Sequence, residues 1–210
     1  MANPDDILIR ASGHVIEAVR SLLARKRSPI AVALDGASGA GKSTLASAVQ
    51  RQVDAVLVPL DDFFSAKIPD SQWDEFTVQQ RLNHVFDWQR ARESALEPLR
   101  AGKEARWYAF DFSAGLQPDG TYGMQTNPKE YPPRQVILLE GAYSAHPLLA
   151  DLVDLAVLVD TPATVRHERL ASREDKDFLQ RWHNRWDPVE RYYLSHVRPK
   201  SSFNVVVTLV

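Results

Sequence analysis

The feature that most constrains the fold is an apolar run, Ile30-Ala31-Val32-Ala33-Leu34, that leads into Gly36-Ala37-Ser38-Gly39-Ala40-Gly41-Lys42-Ser43-Thr44 and then into Leu45-Ala46-Ser47-Ala48-Val49. The first run reads as a buried strand, and Thr44 onward as the opening of a helix. Between them the spacing G-x-x-x-x-G-K-[S/T] is that of a phosphate-binding loop, the P-loop. Its glycines let the backbone turn tightly and aim N–H groups inward at phosphate oxygens. Lys42 adds a mobile positive charge for the β- and γ-phosphates, and Ser43 a hydroxyl for Mg²⁺. The following helix directs its positive dipole end at the same anion. Residues Gly36 to Thr44 are therefore expected to bind a nucleotide triphosphate of the ATP type, with Mg²⁺.

The chain has 210 residues, which suits a single domain spanning 1–210. Hydrophobic residues make up 44% and charged residues 25%, enough for a full core without staples. A net charge of −2 supplies no global basic field for nucleic acid or an anionic membrane. The absence of cysteine excludes disulfides, thiolate metal sites and thiol catalysis. Asp5 and Asp6 stand where a signal peptide would carry positive charge. No apolar run reaches the ~18 residues of a membrane span. The expectation is a cytoplasmic protein acting on a small molecule, with homo-oligomerisation left open.

Pro4 to about Arg25 reads as an amphipathic helix, with Ile7, Leu8, Ala11, Val15, Ala18, Val19, Leu22 and Leu23 at helical spacing. Arg25-Lys26-Arg27 reads as its solvated end, and Ser28-Pro29 breaks it. Further strands are expected at 55–60, 135–141, 155–160 and 204–209, all nearly continuous apolar runs. Alternating with helices, they predict an α/β domain with a doubly wound five-stranded parallel sheet. Residues 65–75 read as loop and 78–101 as helix. Residues 104–127, rich in aromatics and glycine, read as a β-hairpin or flap outside the core, with a turn at Asp119-Gly120. Residues 164–197 read as mostly helical and unusually charged, a run that Asp187-Pro188 should interrupt.

In parallel α/β sheets, ligands sit beyond the C-terminal strand ends. Asp61 and Asp62 follow the second strand, and Glu140 ends the strand of Val136 to Leu139. Glu140 is placed to hold Mg²⁺, with Ser43 and Asp61 beside it. Asp61 is placed to take a proton from an acceptor hydroxyl. Arg166, Arg169 and Arg173 share one helical face and suit a phosphoryl group in flight, although the spacing alone fits a solvated face paired with Glu168 and Glu174 somewhat better. The histidines, His14, His84, His146, His167, His183 and His196, are scattered, and none pairs at metal-ligand spacing.

These motifs together resemble the uridine kinase/phosphoribulokinase/pantothenate kinase group of P-loop kinases, most of all the uridine kinases. Asp61-Asp62-Phe63-Phe64 is similar to the group's D-x-F-[Y/H/L] motif, which implies that Asp61 rather than Asp62 is the catalytic base. Leu138-Leu139-Glu140-Gly141 resembles its F-E-G segment, with the acid near Mg²⁺. Asp160-Thr161 followed by Arg166, Arg169 and Arg173 resembles its lid motif. The resemblance implies catalysis by Lys42, Asp61 and the three arginines. On the acceptor side, Gln72-Trp73-Asp74 resembles N-[F/W]-D, implying that Asp74 binds ribose hydroxyls. Trp107 to Phe112 resembles P-V-Y-D-F, implying that Tyr108, Phe110 and Phe112 line a base pocket. Arg198 to Phe203 falls where relatives contact adenine. Where uridine kinases carry a base-reading His, this chain has Ser113-Ala114-Gly115-Leu116.

A kinase with a nucleoside acceptor is thus the leading expectation, with a sugar, pantothenate or nicotinamide riboside as alternatives. A regulatory GTPase would need N-K-x-D and D-x-x-G motifs, and an ABC-type ATPase an LSGGQ-like segment; the sequence carries none at a suitable place. An ATPase module without a small acceptor remains the competing reading from another class.

Overall fold

A computed structural model describes residues 3–27 and 29–210. The break expected at Ser28-Pro29 therefore falls partly outside the described residues. Helix α1 (Pro4–Leu23) opens on Asn3, whose side chain accepts the Asp5 N–H, with Pro4 in the first turn. Then come β1 (Ile30–Asp35), α2 (Lys42–Gln50), β2 (Ala55–Pro59), α3 (Gln72–Glu75), α4 (Val78–His84), α5 (Trp88–Ala91) and α6 (Glu97–Arg100). After them follow β3 (Ala105–Trp107), β4 (Lys129–Tyr131), β5 (Val136–Glu140), β6 (Leu155–Val159), α7 (Ala163–Ala171), α8 (Lys176–Tyr192) and β7 (Val205–Val207).

Five strands form one parallel sheet in the order β2-β5-β1-β6-β7. Every residue of β1, β5 and β6 is buried, because both faces of the sheet are covered. The pleat sorts them. Ile30, Val32, Leu34, Val136 and Leu138 pack with Val15 and Val19 of α1 and Leu45 and Val49 of α2. Ala31, Ile137 and Leu139 face the other way, toward Leu82, Trp88, Leu96, Trp107 and Trp186. Each fully buried Val, Leu, Ile or Phe contributes roughly 1.5–3 kcal/mol. The order puts the C-terminal ends of β2, β5 and β1 side by side, and Glu140 is in register with both Leu34 and Pro59. Asp61, Glu140 and the P-loop are brought together by that topology.

The structure departs from the sequence expectations at four places. Within the stretch read as loop, 65–75, Gln72–Glu75 forms the short helix α3, which turns Trp73 into the core. The helix expected over 78–101 breaks at Val85–Asp87, where the Asp87 N–H donates to Phe63 O at 2.8 Å and the Asp87 carboxylate caps α5. Helix α8 runs through Pro188 without interruption. Proline costs that helix the bond to the Asn184 carbonyl, but Trp186, Val189 and Glu190 are buried around it and hold the helix in place. The flap is a long antiparallel excursion whose base belongs to the core. β3 pairs with β4, Phe110 bridges Met124, and Trp107 and Phe110 are buried. Its tip turns at Gly120, where φ is +79° and the N–H donates to Gln117 O at 2.9 Å.

Candidate active site

The P-loop is held rigidly from outside. A Cβ on Gly36 would stand 2.5 Å from Val159 O, and one on Gly39 would stand 2.7 Å from Arg166 O, so only glycine fits. Asp35 accepts the Gly36 N–H at 2.6 Å, and Glu190 accepts the Ser38 N–H at 2.7 Å. Thr161 Oγ1 donates to Ala40 O at 2.9 Å. Lys42 Nζ folds over the loop and donates to Ala37 O at 3.1 Å. Among the described residues, the backbone N–H groups of Gly39, Gly41, Lys42, Ser43 and Thr44 donate to no protein acceptor. They converge at the start of α2, the arrangement an anion requires.

The acids divide by environment. Asp62 is buried and already engaged, accepting Trp107 Nε1–H at 2.8 Å and Lys129 Nζ at 2.8 and 2.9 Å. Asp61 makes no side-chain hydrogen bond among the described residues and lines a cavity of about 230 Å³ with Lys42, Ser43 and Glu140. It is open to water along the cleft, yet surrounding protein pushes its carboxyl above the usual range, with Lys42 opposing and Asp62 adding to the rise. Ser43 Oγ donates to Glu140 Oε1 at 3.1 Å. Burial raises the Glu140 carboxyl, Lys42 pulls it back, and Asp61 raises it further.

The three lid arginines do different work. Arg166 donates to Ser38 O at 2.9 Å and pairs with Glu190 Oε2 at 3.2 Å. Arg169 donates to Gly39 O, Ala40 O and Leu209 O. Neither pairs with Glu168 or Glu174; both grip the loop's carbonyl side. Arg173 is exposed, makes no side-chain hydrogen bond or ion pair among the described residues, and lines both the Asp61 cavity and a second one of about 970 Å³. That second cavity runs from Gly41 and Thr44 past Arg169 to Leu8 and Leu209. Arg198 to Phe203 does not line it; Arg198 stacks over Phe203 instead, 5.4 Å from the ring centre.

An aromatic cavity of about 360 Å³ shares Phe64, Phe112, Trp182 and Trp186 with the Asp61 cavity. Phe110, buried, and Phe112, exposed, both line it. Tyr108 does not; it turns to a separate groove with Lys67, Arg90 and Arg106. Asp74 is gripped by Arg185, whose Nε and Nη2 donate to its two oxygens at 3.0 and 2.8 Å. The same guanidinium donates to Asp70 at 2.6 Å, and Tyr122 O–H donates to Asp70 at 2.7 Å. The bond from Arg185 holds the Asp70 carboxyl below its usual range. Burial and Asp70 push the Tyr122 hydroxyl up to about 12, so it stays a donor.

The sequence model of the phosphoribulokinase/uridine kinase family matches residues 30–203. The chain belongs to this family. A uridine kinase of Staphylococcus aureus is 27% identical over 173 residues, covering 80% of this chain and 77% of that protein. The solved structure of a possible uridine kinase from Bacillus stearothermophilus covers 91% of this chain and 96% of its own, with a TM-score of 0.64 at 16% identity. A D-glycerate 3-kinase from Cryptococcus neoformans has the same fold, with a TM-score of 0.60 at 13% identity over 96% of this chain and 95% of that one.

Within this phosphoribulokinase/uridine kinase chain, several residues at the cleft carry no local sequence signal. Asp35 lies in an apolar strand, is buried, and accepts Tyr143 N–H and Ala145 N–H at 2.9 Å and Tyr193 O–H at 2.6 Å. Burial raises its carboxyl, and these bonds oppose the rise. It holds Tyr143, a non-glycine residue at φ +64°, in place on the cleft wall. Glu190, Asp70, Trp182 and Trp186 reach the cleft through α8 and the loop before α3, from far along the chain. Among the described residues, no helix is long and apolar enough to cross a membrane.

Proposed function

We propose that this protein is an ATP-dependent kinase that transfers the γ-phosphoryl group to a hydroxyl of a small molecule, with a nucleoside as the acceptor. One observation carries the reading: Asp61, Lys42, Ser43 and Glu140 line a single cleft whose far wall is aromatic. The residues fit Mg²⁺, because Ser43 and Glu140 present two hard oxygen donors 3.1 Å apart beside the phosphate loop. Bound there, Mg²⁺ would neutralise charge on the phosphate oxygens. The chain's own groups do the rest. The N–H groups from Gly39 to Thr44 hold the phosphates, and Lys42 balances their charge. Asp61 takes the proton from the acceptor hydroxyl as its oxygen bonds to phosphorus, and the bond from phosphorus to the ADP oxygen breaks. A carboxyl raised by its surroundings is a better proton acceptor than an ordinary one. Arg173, placed between the two cavities, is available to the moving group.

The aromatic faces of Phe64, Phe112, Trp182 and Trp186 support a flat base in the acceptor. Asp70 and Asp74, ordered by Arg185, support hydrogen bonds to its hydroxyls. The relatives named uridine kinase support the same class. A sugar, pantothenate or nicotinamide riboside would use the same donor half. A cytoplasmic location goes with this chemistry. A coupled ADP assay across nucleosides, sugars and pantothenate is the test. The expected result is turnover with a nucleoside, lost in Asp61→Asn. ATP hydrolysis indifferent to every acceptor and to Asp61→Asn would overturn the reading in favour of an ATPase module.

A further inference from the structure

Among the described residues, one cluster of metal-ligating side chains lies outside the nucleotide cleft: His167 on α7 with His183 and Asp187 on α8. Sequence spacing gives no hint of it, because its two histidines stand on different helices. His183 and Asp187 are an i,i+4 pair and so share one face of α8. His183 Nδ1 lies 3.1 Å from Asp187 Oδ1, and His167 Nε2 lies 3.3 Å from Asp187 Oδ2. The two imidazole rings are 4.2 Å apart at their centres, and one donor atom from each residue falls within 4.8 Å of the other two. Donors around a tetrahedral ion with bonds of about 2.0–2.1 Å stand roughly 3.3 Å from one another. The cluster is close to that size before any ion enters.

Hydrogen bonding within the cluster leaves a defect. His167 Nε2 is shut off from solvent and has no hydrogen-bond partner among the described residues: Asp187 Oδ2 faces it at 3.3 Å out of hydrogen-bond alignment, while Asp187 Oδ1 is engaged by His183 Nδ1 at 3.1 Å. A buried nitrogen without a partner is costly, and a cation at the centre would take up its lone pair. The donor set is two imidazoles and a carboxylate, which suits Zn²⁺ and its neighbours and not Mg²⁺, a metal that prefers oxygen. The His167 side chain as a whole is 41% exposed, which places the cluster at the protein surface although Nε2 itself is covered.

We infer that His167, His183 and Asp187 form a transition-metal site, best suited to Zn²⁺, that clamps α7 to α8. Three protein ligands leave a fourth position for water or an outside ligand. The clamp bears on the nucleotide loop. Arg166 precedes His167 and donates to Ser38 O. Glu190, on the turn after Asp187, accepts both Ser38 N–H and Arg166. An ion joining the helices would brace the pair of side chains that hold the loop.

The test is metal binding by the untagged full chain without nucleotide, in excess Mg²⁺ to occupy oxygen sites. Equilibrium dialysis should give one Zn²⁺ per chain, and Co²⁺ should produce the visible absorption of a tetrahedral nitrogen–oxygen site. Zn²⁺ should also raise the melting temperature. His167→Ala and His183→Ala should each weaken binding at least ~100-fold, more than the 10–100-fold that follows the loss of an outer partner. His14→Ala, on the exposed side of α1, should bind as the parent does. Asp187→Asn keeps the side-chain size and one oxygen, and should shift the Co²⁺ spectrum even if the alanine variants fold poorly. Zn²⁺ stoichiometry unchanged in both histidine variants, or a Co²⁺ spectrum unmoved by Asp187→Asn, would overturn the inference; so would parent protein that takes up no Zn²⁺. None of these readouts depends on the kinase activity.

Discussion

Glu190 accepts the backbone N–H of Ser38 at 2.7 Å, so a residue of α8 holds the nucleotide loop that follows β1. Its second oxygen pairs with Arg166 at 3.2 Å, and the two side chains are only 6% and 13% exposed. Removing one member of such a pair strands the other charge in the interior. Glu190→Ala should therefore lose about 3–5 kcal/mol of stability in urea denaturation. Glu190→Gln keeps an oxygen for Ser38 and should lose less. Both should raise the KM for ATP more than that for the acceptor, because the loop they loosen belongs to the donor side.

Asp61 and Asp62 are neighbours with opposite roles. Asp62 is bound to Trp107 and Lys129, and its substitution by Ala should unfold the protein at lower denaturant, since Lys129 and the indole N–H lose their acceptor. Asp61 has no such partner among the described residues. Asp61→Asn should lower kcat by about 10²–10⁴ with the fold intact, the range for removal of a general base. Circular dichroism and steady-state kinetics on the two variants separate the roles. Equal kinetic losses, with no difference in stability, would count against this division.

The cleft carboxyls also link stability to pH. Burial raises Glu140 above its ordinary 4.5, and the protein packed around Asp61 raises it above 3.8 although the cleft leaves that residue exposed. For a raised carboxyl the folded state binds the proton more tightly than the unfolded state does. The stabilising contribution is complete below the unfolded pKa and is lost as pH rises through the folded one. Near neutral pH each ionised carboxylate therefore works against folding. Asp61→Asn should melt slightly higher than the parent at neutral pH, the gain held small because water in the cleft screens the exposed Asp61 carboxylate. The gap should close as pH falls toward about 4 and the parent carboxyl protonates. A melting-temperature series over pH for the two proteins checks the sign.

What the sequence disclosed and what it hid divide along one physical line. The P-loop, the five strands and the acids at their ends are written in short stretches, where period, glycine and strand-end position carry the information. Burial on both faces made β1, β5 and β6 plain as continuous apolar runs. Side chains that reach the site from a distance were not legible. Glu190 meets Ser38 across 152 positions, and Arg185 meets Asp70 across 115. Pro188 misled for the same reason: a local rule for helix breaking was overruled by burial of Trp186 and Val189 on either side. Tyr108 shows the limit of motif matching. It lies in the same stretch as Phe110 and Phe112, yet its side chain lines another groove.

Arg185 gives the acceptor half its own test. Its guanidinium bonds Asp70 at 2.6 Å and Asp74 at 2.8 and 3.0 Å, and it is mostly buried while Asp74 is mostly exposed. Asp70, with its carboxyl lowered first of all by that bond, contributes stability that is present above the unfolded pKa of 3.8 and lost as pH falls through the folded value. Arg185→Ala should cost about 1–2 kcal/mol at neutral pH, between an exposed pair and a buried one. That deficit should shrink in acid, the reverse of the pattern expected for Asp61→Asn. Kinetically, the variant leaves the P-loop contacts untouched and frees Asp70, which lines the aromatic cavity, together with Asp74, which does not line it. The KM for the acceptor should rise about tenfold, the equivalent of about 1.4 kcal/mol, with the KM for ATP nearly unchanged. A rise confined to ATP would place Arg185 in the donor half and remove Asp70 and Asp74 from acceptor binding.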